Sequence, residues 1–395
     1  MSRSPLTRVV VVLLVAMMGF TALVMTWPSV RAATWTQDTD TDFNAGALSG
    51  VEVVGTGPAA QIQLLRDATD WNNQNPGTHP SQREGSGLAY DSTNDIFVLF
   101  GGYDGAYLSD TWQYDPGTNT WTQIVTPGPS GRETMGMTYD SVNGLVVLFG
   151  GVSNAGFEND TWEYSTTANT WTQRTPSPAP PLLISYHLTF DSAGSVGRSV
   201  LAGLNLVTNA MVTWAYNAGS HAWANRNPSP NLPTRTNFVM SYDPALDRVV
   251  EFGGLNPFPP PGALQSDTWE YNYAANSWAQ ATTTGPSART SAGMSYRPSQ
   301  TGLYLFGGIG SGAPFADTWR YVNAGGPHVW QSAFVQRSPP ARSVFAMADE
   351  SSPDDLSVVF GGLLNGGSYA QDTWAFGPAF RNFGTWKSQT FDSGG

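Results

Sequence analysis

The chain has 395 residues, with 43 glycines, 28 prolines, 15 tryptophans, no cysteine and a formal net charge of −12. The lack of cysteine excludes a disulfide framework, a zinc–thiolate site and a catalytic thiol, and the negative charge opposes a polyphosphate partner, so nucleic acid is not an expected ligand. A chain this rich in glycine, proline and large aromatics suits many short strands joined by turns, not a disordered polymer.

At the N-terminus Arg3 and Arg8 precede an uncharged apolar run from Val9 to Met25, and Val30-Arg31-Ala32 follows. This pattern predicts a signal peptide over residues 1–32, cut after Ala32, and hence a secreted or cell-surface protein. Left uncleaved, the same run borders on the length that spans a bilayer and would be the chain's one expected membrane contact. Residues 33–66 form a β-rich flanking segment, in which Gly50 to Val54 and Gln61 to Leu65 are predicted strands joined by a turn at Gly55-Thr56-Gly57-Pro58.

Residues 67–380 repeat one frame. It is first complete from Ile96 to Trp121, where an apolar run ends in Gly101-Gly102, a short loop leads to Asp110-Thr111-Trp112, and Trp121 closes the unit. Glycine pairs at 150–151, 253–254, 307–308 and 361–362 lead in the same way to Asp-Thr-Trp triplets ending at Trp162, Trp269, Trp319 and Trp374. A worn copy lies between the second and third of these, with Ala202-Gly203 for the glycine pair and Val212-Thr213-Trp214 for the triplet. The six triplet tryptophans, at 112, 162, 214, 269, 319 and 374, are spaced by 50, 52, 55, 50 and 55 residues. A period near fifty with strand-like runs and no helical pattern points to four-stranded blades around an axis.

Two defects at the ends of the array complement each other. Trp71 precedes Trp121 by 50 residues, as a closing tryptophan without the rest of its blade, and the sixth copy has Trp374 with no tryptophan nine residues later. Residues 68–74 are therefore predicted to complete the sixth blade and close the ring, removing its free edges. Five copies place an arginine before a small-residue innermost strand: Arg83, Arg132, Arg235, Arg289 and Arg342, with Leu183 in the worn copy. Residues 381–395, from Thr385-Trp386 to Phe391-Asp392, echo Thr34-Trp35 to Asp42-Phe43 and suggest the start of a second flanking module.

A glycine pair, a tryptophan after a variable loop and a second aromatic about ten residues on resembles the signature of kelch repeats, over roughly residues 68–380. The resemblance implies an all-β, six-bladed propeller with four antiparallel strands per blade, of the type that forms the central domain of galactose-oxidase-like proteins. It implies no single function, since such propellers serve as protein-binding scaffolds, carbohydrate oxidases and sugar epimerases. The copper-radical oxidases among them use a thioether-linked Cys-Tyr pair, which a chain without cysteine cannot form.

The motifs themselves read as scaffold. Five equivalent acids, Asp110, Asp160, Asp267, Asp317 and Asp372, are spread around a ring and cannot converge; they are expected to accept backbone N–H groups in turns. The glycine pairs lack the following helix start that a phosphate cradle needs. Asp115 to Trp121 fails as a sialidase-type Asp-box, with Gln113 where that motif has Ser or Thr and the tryptophan one residue late. The four histidines, His79, His187, His221 and His328, fall on different parts of the frame, so no metal or other cofactor is expected.

Two sets share the face that carries the entries to the innermost strands and the loops between second and third strands. One is the arginine set, Arg83, Arg132, Arg235, Arg289 and Arg342, whose alternative role is pairing with blade carboxylates and carbonyls. The other is the loop aromatics Tyr103, Tyr107, Phe157, Phe258, Phe315 and Tyr369, which could instead fold back on neighbouring loops. Together they would suit an acidic glycan or an anionic protein segment. The expected function is an exported, non-catalytic module that binds a glycan or a protein. The rivals are an extracellular carbohydrate-active enzyme of oxidase or epimerase type and a structural spacer in a larger surface protein.

Overall fold

The computed structural model describes residues 51–54, 61–64, 69–193, 197–282, 284–323, 327–350 and 355–378. The predicted signal segment, the predicted Gly55 to Pro58 turn and the expected C-terminal flanking piece lie outside the described residues. Two units are distinguished, Trp71–Gly377 and a second made of Met1–Asp70 with Pro378–Gly395. In the second, Val51–Val54 and Gln61–Leu64 pair antiparallel, Val51 facing Leu64, at the strands expected from sequence.

The larger unit is a ring of six four-stranded antiparallel blades. In blade 1 the strands are Gly87–Asp91, Ile96–Phe100, Thr111–Asp115 and Thr120–Ile124. Blades 2 to 5 repeat this order, with innermost strands Gly136–Asp140, Leu183–Asp191, Val239–Asp243 and Gly293–Arg297. Blade 6 takes Ala346–Asp349, Ser357–Phe360 and Thr373–Pro378 from the end of the repeat and its outermost strand, Thr69–Asn73, from the beginning. The two incomplete copies are thus one blade, and the ring has no open sheet edge at the seam. Second strands such as Ile96–Phe100 are apolar and buried on both faces because each blade is covered by two neighbours, which is why their sequences run apolar without alternation.

Adjacent blades are joined by a hydrogen bond that goes once round the ring. The outermost-strand indoles of Trp71, Trp121, Trp171, Trp223, Trp278 and Trp330 donate to Thr318, Thr373, Thr111, Thr161, Thr213 and Thr268, at 2.8 to 3.1 Å. Each acceptor is the threonine of the triplet in the preceding blade. Blade 3 has lost the triplet's acid but keeps Thr213, the member on which the next blade depends. Where the acid remains, the triplet indole donates back to it, as Trp112 does to Asp110 at 2.7 Å; with Val212 in that place, the Trp214 Nε1–H is buried without a partner.

Blade 4 departs in the opposite direction. Its second strand carries Glu251, fully buried, where the other intact blades have Leu99, Leu148, Leu305 and Val359. Glu251 shares Arg235 with Asp267, at 2.9 and 3.1 Å. Burial, helped by Asp267, pushes its carboxyl well above the ordinary range in spite of Arg235. A raised folded-state pKa costs stability once pH rises above the unfolded value near 4.3. Glu251→Leu, which restores the residue of the other blades, is expected to stabilise the protein by about 1–3 kcal/mol at pH 7 and by less at pH 4. Denaturant titration at the two pH values measures both.

Candidate functional site: the crown of the loop face

The five arginines stand at the entries to the innermost strands, and their side chains turn into the blades. Each is at most 1% exposed. Arg83 spends all five N–H groups: Nη1 donates to Gly101 O at 3.0 Å and Asp110 Oδ1 at 2.6 Å, Nη2 to Asp110 Oδ2 and Ser81 Oγ, and Nε to Ser81 O. Arg132 repeats the set with Gly150, Asp160 and Ser130. Arg235, Arg289 and Arg342 hold Asp267, Asp317 and Asp372 by the same fork. Burial alone would raise the aspartates, but the guanidinium hydrogen bonds and charge outweigh it and hold Asp110, Asp267, Asp317 and Asp372 below the usual carboxylate range.

The geometry therefore does not support these arginines as ligands of the loop face, because no N–H of the two fully paired ones remains to offer and all five groups are buried. It also corrects the partner of the acids, which is a guanidinium and an indole instead of turn amides. Turn amides go to the acids that end innermost strands, such as Asp140, which accepts from Val142 and Asn143 at 3.0 Å. The main chains of Arg83, Arg132, Arg289 and Arg342 each clamp the blade before: Arg132 N, for example, donates to Leu108 O and Gly102 N to Arg132 O. A Cβ on Gly101, at φ +64°, would lie 2.5 Å from Arg132 O, which is the reason for glycine there. Blade 3 lacks both halves of the ion pair at once, with Leu183 and Val212, as expected when one partner alone would be buried unpaired.

What the arginines position is a row of three residues across the top of each intact blade. The residue after the arginine pairs with the residue after the glycine pair, which pairs with a residue of the second-to-third-strand loop. The rows are Glu84–Tyr103–Tyr107, Glu133–Val152–Phe157, Thr236–Leu255–Leu264, Thr290–Ile309–Pro314 and Ser343–Leu363–Tyr369. The middle residues Tyr103, Val152, Leu255, Ile309 and Leu363 are all partly exposed. They make an apolar crown interrupted at blade 3, where Leu204 and Met211 are buried.

The sequence-selected aromatics divide on this surface. Tyr103, Tyr107 and Tyr369 come together, with Tyr103 centred 5.2 Å from Tyr107 and 6.4 Å from Tyr369. Phe157 and Phe258 project from separate loops, 44% and 47% exposed. Phe315 folds back, its ring 4.0 Å from the Arg289 guanidinium carbon. Sequence reasoning selected Tyr103 but passed over the other middle residues, Val152, Leu255, Ile309 and Leu363, and Glu84 and Glu133; a fixed offset from the arginine and from the glycine pair would have found them.

Inside the crown lies a collar at the mouth of the axial channel. Gly85, Thr134, Ser185, Asn237, Ser291 and Val344 take equivalent places in the six blades, all with φ between +46° and +65°. Neighbours are linked by Thr134 N to Gly85 O, Gly85 N to Val344 O, Val344 N to Ser291 O and Ser291 N to Asn237 O. Below it the innermost strands enclose a cavity of about 580 Å³. It holds His187, lowered by burial to about 4, and Asp349, raised by burial to about 7.

Residues 64–236 match the family described as the KLHDC2/KLHL20/DRC7 Kelch-repeats domain. This match and the ring of six four-stranded blades together support a kelch-repeat β-propeller. The matched residues run from the closing strand through blade 3 to the entry of blade 4 and include the crown rows of blades 1 and 2. No curated protein matches the chain. The crown is where equivalent positions of the repeat leave a set of apolar side chains at the surface.

Proposed function

We propose that this protein is an exported, non-catalytic binding module that docks a protein segment on the crown of its loop face. Its leader supports a secreted or cell-surface location. A galactose-oxidase-like subtype would then describe the shape of the ring without the oxidase chemistry. The observation that carries the reading is the set of partly exposed apolar residues, Tyr103, Val152, Leu255, Ile309 and Leu363, at one equivalent position in five blades. A fold that needed only to close its ring could leave polar residues there, since these positions face outward. An acidic glycan, by contrast, would meet the carboxylates of Glu84 and Glu133 with no free arginine to balance them.

The test is affinity capture of partners from the source organism's extracellular and surface fractions. Proteins held by the wild type are expected to be lost with Tyr103→Ser/Val152→Ser and kept with Val142→Ser, an exposed turn residue on the opposite face. Retention by the crown variant would remove the assignment.

A further inference from the structure

The crown is uneven in charge. At the position after each arginine, blades 4, 5 and 6 carry Thr236, Thr290 and Ser343, whereas blades 1 and 2 carry Glu84 and Glu133. The row geometry is the same in all five, so the scaffold does not require a carboxylate there. Neither glutamate's carboxylate has a hydrogen bond or ion pair among the described residues, and Glu133 leans toward blade 1, its Oε2 3.0 Å from where a Cβ on Gly85 would sit. Burial raises both carboxyls, and Glu84 adds to the rise at Glu133, which reaches about 6. Two like charges are thus held close on an apolar surface, with no cation paired to either among the described residues.

Their neighbours extend the pattern. Glu84 shares its row with Tyr103 and Tyr107, and Tyr369 closes on Tyr103 from blade 6; aromatic faces attract a desolvated cation. Glu133 shares its row with the exposed Phe157, two strand spacings or about 10 Å away. Blade 3 continues the surface with Leu182, Leu206 and Val207, 38%, 39% and 82% exposed, held together by Leu206 N to Leu182 O at 3.1 Å.

We propose that the crown over blades 6, 1, 2 and 3 docks an extended protein segment carrying a lysine or arginine beside apolar residues. The cationic side chain seats between Glu84, Glu133 and the three tyrosines, and the apolar ones lie along Phe157, Leu182, Leu206 and Val207. This rests on the reading of the crown as a protein-docking surface and names the chemistry of the partner. The net charge of −12 attracts such a segment over longer range, and the buried, paired arginines leave an acidic segment nothing to bind.

The test pans a 12-residue random peptide library displayed on phage against the full chain, then measures one selected peptide by fluorescence anisotropy. Selected peptides are expected to carry a lysine or arginine next to large apolar residues. The Glu84→Gln/Glu133→Gln variant, which removes a repulsion and stays folded by thermal melting, is expected to bind the peptide about tenfold or more weakly. Peptides without a basic residue, or equal binding by the glutamine variant, overturn the cation seat. Should Tyr103→Ser/Val152→Ser still abolish that binding, the docking surface itself stands. Binding that survives both variants overturns both readings, and so does self-association through the crown in light scattering or selective binding of a neutral glycan.

Discussion

Arg342→Met is expected to lower the unfolding free energy by about 3–5 kcal/mol, toward the lower end because Asp372 keeps some contact with water. The arginine is fully buried while the Asp372 side chain is 28% exposed. Its Nη1 holds Gly361 O at 2.9 Å and Asp372 Oδ1 at 2.7 Å, and its Nη2 holds Asp372 Oδ2 at 2.8 Å. Removing it leaves a carbonyl and a charged carboxylate short of partners in an interior built around them. Arg342→Lys keeps the charge but not the planar fork, so an intermediate loss is expected. The decisive comparison is Arg342→Leu/Asp372→Val, which copies Leu183 and Val212 of blade 3 and leaves neither group unpaired. It is expected to recover much of the loss, at the cost of orphaning the Trp374 indole that donates to Asp372 at 2.7 Å. Urea denaturation of the three variants measures this; a loss below 1 kcal/mol for Arg342→Met would show that the fork is not a staple.

The fold was legible because its signals repeat. Any one glycine pair or Asp-Thr-Trp triplet is weak, but five copies at a period near fifty leave little else for the chain to be, and the two incomplete ends match each other in the sequence itself. The pairing inside the frame was harder to read. Arg83 and Asp110 are 27 residues apart, with two strands and a loop between them, and nothing in the one-dimensional pattern says that the side chain turns inward. A charged residue at the mouth of a propeller suggests a ligand, whereas the physics of a buried entry turn, with carbonyls and a carboxylate to satisfy, gives it a partner within the blade.

The crown was legible in part for the same reason. The loop aromatics stand out as large side chains in variable segments, and three of the six, Tyr103, Tyr107 and Tyr369, do form one surface. Val152, Leu255, Ile309 and Leu363 look like the tail of the strand before them, and their exposure depends on the positive-φ glycines that turn the chain up at Gly101-Gly102 and its equivalents. Glu84 and Glu133 are informative only against Thr236, Thr290 and Ser343, a comparison that needs the rows first. Repetition thus separates the two roles: what all blades share closes the ring, and where equivalent positions disagree the ring is free to specify a partner.

Trp71→Ala is expected to cost about 3–5 kcal/mol and, unlike the same change in any other blade, to open the ring. Trp71 is fully buried, its ring centre 4.7 Å from Phe306 and 4.9 Å from Phe376. Its indole donates to Thr318 of blade 5 at 2.9 Å. In blades 1 to 5 a weakened outermost strand stays tethered by a short turn to the strand it pairs with. In blade 6 the strand comes from the other end of the sequence and has no short turn to its partner, so packing and hydrogen bonds such as Gln74 N to Thr373 O at 2.9 Å, with its ladder, hold it in place. Once released, it exposes the edge of Thr373–Pro378, a template for pairing with another chain. Trp121→Ala removes an indole of the same kind, which donates to Thr373 at 2.9 Å, from a strand that remains tethered. A similar loss in thermal melting for both variants, with self-association in light scattering for Trp71→Ala alone, is the expected result; equal self-association would place the weak point of the ring elsewhere than the seam.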